Sequence, residues 1–132
     1  SQVESIGAQA FYRCKELSQV RLPASLKAIG KEAFYFCGLK SLTLPDSLEV
    51  IEDSAFFKCS KLVEVKIPTS VKHIGKWVFH GCNSLQVVEF RHDPEFIGDW
   101  IINRAARIRC YRGSAVDAYC QKFGFTVEYL ED

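Results

Sequence analysis

The sequence predicts an α/β repeat: a solenoid of stacked coils with short parallel strands on a concave face, short helices on a convex face and a helical cap at the C-terminus. Two observations predict it. Phe11, Phe34, Phe56 and Phe79 lie 23, 22 and 23 residues apart, and Cys14, Cys37, Cys59 and Cys82 repeat the same three intervals. Within each interval, an apolar alternation of period two gives way to apolar residues at helical spacing. A unit this short cannot bury its apolar side alone, so copies must stack into a continuous core. The 132 residues read as one domain, with repeats at about 4–26, 27–48, 49–71 and 72–94, an atypical coil at 95–112 and a cap at 113–132.

Leu17, Val20 and Leu22 read as a short strand, with Val20 and Leu22 inward and Gln19 and Arg21 outward. Pro23 ends it, as Pro45 and Pro68 end the next two, because proline has no N–H to give a ladder. The half carrying Ile29, Ala33, Phe34 and Cys37 has i, i+4, i+5, i+8 spacing, which suits one or two helical turns with a single apolar face. Ile6, Ile29, Ile51, Ile74 and Ile97 carry the period into a fifth coil, and stacking places like residues about 4.8 Å apart. The second repeat lacks one residue between Cys37 and Leu39, which marks a loop.

In the fifth coil, Ile97, Ile101, Ile102, Ala105 and Ile108 take the Ile, Ala, Phe, Cys and Leu positions, and no proline follows. Ser114, with Asp117 three residues on, opens a helix whose apolar face is Val116, Tyr119, Cys120 and Phe123, and Gly124 stops it. Phe125 to Leu130 reads as a last strand. The segment closes the open end of the core against water and other chains. Val3 falls 23 residues before Leu26, so the chain begins partway through a coil; with no Met and no signal-peptide pattern over Ser1 to Ile6, it reads as an excised segment.

Seventeen Lys and Arg against 16 Asp and Glu give a net charge of +1, without any block of like charges. That removes the electrostatic footprint expected of a nucleic-acid partner or an anionic membrane surface. No apolar run approaches the roughly 18 residues needed to span a bilayer. The charges are patterned, however. Glu4, Lys27, Glu49, Lys72 and Glu95 fall one per coil with alternating sign, as do Lys31, Asp53, Lys76 and Asp99, which predicts ladders of opposite charge along the stack.

Four cysteines at one phase predict a row of buried free thiols. Stacked coils hold their Cβ vectors parallel at about 4.8 Å, whereas a disulfide needs converging vectors roughly 3.5 to 4.5 Å apart. Cys110 and Cys120 belong to the cap and have two readings, free or paired with each other. His73, His80 and Cys82 match no metal-ligand spacing, and neither a catalytic Ser, His and Asp set nor a glycine-rich phosphate loop stands out. No enzyme, metal site or cofactor is expected. Tyr12, Tyr35, Phe57 and His80 form an aromatic row, and Trp77 and Trp100 sit one coil apart; either they fill between coils and under the cap or they form an exposed convex patch. The outward strand positions make the candidate binding surface: Gln19, Ser41, Glu64 and Val87 in one row, Arg21, Thr43, Lys66 and Glu89 in the other.

The recurring IGxxAFxxCxxLxxVxLPxSL, carried as IGKEAFYFCGLKSLTLPDSL over residues 29–48, resembles the BspA-type class of leucine-rich repeats. The ending IRCYRGSAVDAYCQKFGF is similar to the usual close of such arrays. Arg91 in place of the fourth proline and the loss of Phe and Cys from the fifth coil depart from the pattern. The resemblance covers essentially the whole chain and implies a leucine-rich-repeat solenoid, a secreted or surface-displayed location and adhesion to host or neighbouring-cell proteins. The expected function is therefore non-catalytic binding of a protein ligand through the concave face. The alternative is a structural spacer with no binding site of its own.

Overall fold

The computed structural model describes residues 2–131. The chain winds into a right-through stack of coils carrying two parallel sheets. The first sheet is made of two-residue strands at the recurring isoleucine: β1 (Ser5–Ile6), β2 (Ala28–Ile29), β3 (Val50–Ile51), β5 (His73–Ile74) and β7 (Phe96–Ile97). Ile6, Ile29, Ile51, Ile74 and Ile97 pair in register, one above another. The second sheet lines the concave face and runs β4 (Glu64–Ile67), β6 (Val87–Phe90), β8 (Arg107–Tyr111) and β9 (Thr126–Leu130), with Val65, Val88, Ile108 and Val127 in one inward row.

Strands were expected on the concave face of every coil, and the first two coils depart from this. Leu42 and Leu44 are buried and Thr43 is exposed, as an inward and outward alternation requires. The segments are nevertheless joined by little more than Lys40 N–H to the Ser18 carbonyl at 3.0 Å, so no ladder forms there. The sheet starts one coil after the deletion at Gly38, where the backbone presses so closely on the first coil that a Cβ would run into the Lys15 carbonyl.

The short convex helices are also corrected. The stretch from Gly30 to Cys37 is a run of turns, with Glu32 at φ 57 and Phe36 at φ 56. The reason lies in where the N–H groups go. Glu32, Phe34 and Phe36 donate to the Asp53, Ala55 and Phe57 carbonyls of the next coil at 3.1, 2.8 and 2.7 Å, while Ala33 and Tyr35 donate three residues back to Gly30 and Glu32. An α-helix would instead turn its N–H groups, after the first four, to carbonyls four residues back, leaving them unable to join the coils here. Left-handed residues let the backbone alternate between the two, and the same phases recur at Ser54 and Lys58 and at Gln9 and Arg13.

The core is a column. The Phe11, Phe34, Phe56 and Phe79 rings stack at 5.1, 5.2 and 5.5 Å between centroids, with interplanar angles of 10°, 1° and 11°. All six cysteines are free. In the fifth coil Ile101 and Ile102 are buried as expected, but Ala105 is exposed and Ala106 takes the buried place. Ile108 pairs with Val88, 20 residues back where Val88 is 23 from Val65, so it fills the Val position of a shortened coil rather than the Leu position.

The cap forms as the local chemistry demands. Ser114 caps α1 (Ala115–Phe123) by accepting from the Asp117 N–H at 3.1 Å, and Gly124 ends it at φ 72. Asp117 accepts from the Gly113 N–H at 2.9 Å, from the Gln121 amide and from the Tyr129 hydroxyl; the Gly113 bond above all holds its carboxyl below the ordinary range. Trp100 lies under the cap, edge-on to Phe123 and Phe125 at 5.2 and 5.6 Å. Half-buried Tyr119 donates to the Gly98 carbonyl at 2.7 Å, tying the helix to the fifth coil.

Candidate functional site

The alternation of the concave strands fixes which side chains reach solvent. Gln19, Arg21, Ser41, Thr43, Glu64 and Lys66 are exposed and form the floor of the face over the first three coils. The other two residues of the expected rows are not: Val87 is 3% exposed and Glu89 is 6% exposed. The cause is the next strand. Arg107 and Arg109 of β8 stand in register with Val87 and Glu89, and their long side chains close over them.

Glu89 instead anchors a chain of alternating charges. Its carboxylate accepts from Arg91 Nε at 3.0 Å and from Arg109 Nη1 at 3.0 Å. Arg109 Nε then donates to Glu128 at 2.6 Å, and Arg107 Nε donates to the other Glu128 oxygen at 2.8 Å. Burial by itself would raise the Glu89 carboxyl, but the bonds from Arg109 and Arg91 outweigh it and hold the group below the usual carboxylate range. Glu128 is held low chiefly by Arg109, then by Arg107. The C-terminal end of the concave face is thus satisfied internally. Arg107, Arg109 and Glu128 were missed as a continuation of the candidate row because the fifth coil is shortened, which hides their register with Glu89.

An open groove of about 680 Å3 lies across the second to fourth coils, lined among others by Ser41, Thr43, Glu64, Lys66, Thr69 and Arg91. Leu42, Leu44 and Ile67 also border it although their side chains are buried, so they contribute main-chain surface. Among the described residues, neither Glu64 nor Lys66 is held in an ion pair.

The remaining candidate groups have structural work. The Cys37, Cys59 and Cys82 thiols donate to the carbonyls of Phe11, Phe34 and Phe56 in the preceding coil, at 2.9, 3.2 and 3.2 Å. Burial pushes the Cys37 thiol up to about 11 and the Cys120 thiol up to about 12, leaving both protonated and poor nucleophiles. Tyr12, Tyr35, Phe57 and His80 stack coil on coil at 4.7, 5.3 and 5.9 Å, which is the filling reading of that row. Tyr12 at the open end of that row and Trp77 remain exposed, at 40% and 41%, and the Lys76 ammonium lies 4.6 Å above the Trp77 ring. The charge ladders are thinner than expected. Lys27 and Glu49 meet at 3.7 Å, whereas Asp53 accepts from the Lys76 backbone N–H rather than its ammonium. Among the described residues, no helix is long and apolar enough to cross a membrane.

Three solved structures share this architecture. A leucine-rich repeat protein from Bacteroides ovatus superposes with a TM-score of 0.74 at 30% identity, over 82% of this chain and 31% of that one. The pneumococcal vaccine antigen PcpA gives 0.71 at 19% identity, over 99% and 42%, a likeness of fold alone. The T. pallidum leucine-rich repeat protein TpLRR gives 0.52 at 25% identity, over 96% and 79%. The chain therefore spans 31% and 42% of the lengths of the first two. No curated protein matches it. Six copies of the BspA type Leucine rich repeat region match residues 1–109, a stretch that contains the stacked isoleucine, phenylalanine and cysteine columns, and the chain belongs to that family.

Proposed function

We propose that the chain is a non-catalytic protein-binding module that works outside the cell or at its surface, adhering to proteins of a host or neighbouring cell through the N-terminal part of the concave face. The observation that carries this reading is the contrast along that face. Charges at its C-terminal end are paired with one another, Arg91 through Nε alone, while Gln19, Arg21, Ser41, Thr43, Glu64 and Lys66 stand exposed on a closely packed backbone. Polar groups without internal partners break no internal bond when they bind, and the backbone beneath them is already ordered, so the entropic cost of association is confined to their side chains. Surface display of the relatives' family and the exposed groove both fit a protein partner. The test is binding of the fluorescently labelled chain to intact host or neighbouring cells. Saturable binding abolished by Thr43→Arg and by Lys66→Glu, but kept by Lys58→Glu on the convex side, is the expected result. Binding indifferent to the concave variants would instead favour a spacer that only presents other domains.

A further inference from the structure

Arg91 stands where the three preceding coils carry Pro23, Pro45 and Pro68. Proline there would offer the groove neither charge nor donor; arginine places a guanidinium at its C-terminal end. The side chain is 53% exposed and is oriented by Glu89, which engages only Nε. Lys66 stands in register with Glu89 on the neighbouring strand. Since Glu89 is already shared with Arg109, Lys66 and Arg91 leave an excess of positive charge at this end of the groove. Glu64 lies two residues before Lys66 on the same face of β4, roughly 7 Å along the strand.

We propose that Arg91 and Lys66 form a carboxylate-recognition site for an acidic side chain of an extended protein segment, with Glu64 receiving a basic side chain two residues away along that segment. The inference rests on the concave-face reading above and names the chemistry of the partner. A polyanion fits less well, because a run of phosphates would also face Glu64 and Asp46, both of which line the same groove. An extended segment with opposite charges on alternate residues matches both ends at once, since its same-face side chains share the spacing of β4. Glu89 acts here as a positioning residue, holding Arg91 toward the groove.

The probes are the peptide acetyl-Thr-Glu-Thr-Lys-Thr-amide, its counterpart with Gln in place of Glu, sodium acetate and inorganic phosphate, each titrated into the isotope-labelled chain and followed by NMR. The Glu peptide should shift the Arg91 and β4 resonances saturably. Its Kd should weaken about threefold to fivefold in K66Q, in R91Q and on changing Glu to Gln in the peptide. Because R91Q also releases Glu89, K66Q is the deciding variant; it leaves the bond between Glu89 and Arg109 in place. Equal affinity for the Glu and Gln peptides, no effect of K66Q, or phosphate binding more tightly than the Glu peptide would each overturn the proposal. Shifts at Ser41 and Thr43 without shifts at Lys66 and Arg91 would overturn it while leaving the concave reading standing. Shifts confined to the convex side, or none with any probe, would count against both.

Discussion

At the scale of the residue, the cysteine column shows how a buried carbonyl selects its neighbour. Among the described residues, the Phe34 carbonyl has one hydrogen-bond partner, the Cys59 thiol at 3.2 Å. Cys59→Val keeps an apolar side chain of similar size but removes the donor, so it should cost about 1–3 kcal/mol of unfolding free energy, measured by urea titration. A cost near zero would mean the thiol acts only by filling space. The sequence supplied the burial of these cysteines through their common phase. It could not supply the bond, because nothing in the spacing indicates that the turn sends the neighbouring N–H groups elsewhere. Arg91 was visible as a departure from the proline series, yet its partner Glu89 was read as an exposed row member, since the shortened fifth coil concealed the arginines that cover it.

At the scale of the element, the convex turns and the cap illustrate opposite degrees of legibility. The i, i+4, i+5, i+8 pattern fits a helix and fits two successive turns equally well, because both place those residues on one side. What separates them is the fate of alternate N–H groups, a property of neighbouring coils rather than of the segment. The cap was legible because its signals are local: Ser114, Asp117 and Gly124 act within one helix. The turn geometry makes a definite demand. Lys58 has φ 59, a conformation that costs an L-residue about 1–2 kcal/mol, and Gly81 occupies the same phase one coil later. Lys58→Gly should raise unfolding free energy by about 1 kcal/mol, and Lys58→Val should lower it by about 1–2 kcal/mol. Thermal unfolding of the two variants would measure both signs; a helix at this site would make Lys58→Gly destabilising instead, since glycine is a poor helix former.

At the scale of the whole molecule, groups that must stay neutral are spread from the second coil to the cap. Cys37 moves from 9.0 to about 11, Cys120 from 9.0 to about 12 and Tyr119 from 10.0 to about 12, in each case first because burial penalises the charged form. The folded chain therefore holds these protons more tightly than the unfolded one. The stability they contribute is complete below pH 9 and drains away as pH rises toward 12, at about 1.4 kcal/mol per pH unit for each group titrating. Urea midpoints should be level just below pH 9 and fall steeply above it; a flat profile would mean that the thiols and the phenol are reached by water in the folded state. The stack has another property, visible in its bonding between coils. Between the first and second coils, the turn residues Gln9, Phe11 and Arg13 donate forward, and Lys27, Ala28 and Gly30 at the isoleucine strand donate backward; turn and isoleucine strand repeat this opposition at the next two junctions, with Lys40 and Gln86 as further backward donors on the concave side. At the fourth, the side-chain carbonyl of Asn103 accepts the forward Gly81 N–H. Peptide dipoles along the solenoid axis thus oppose one another in two parallel lanes. An α-helix aligns its dipoles and builds about half a charge at each end, whereas this winding sets the turn lane against the isoleucine lane in every coil. Another coil built this way adds little axial field, so lengthening the array does not accumulate charge at its ends as lengthening a helix does.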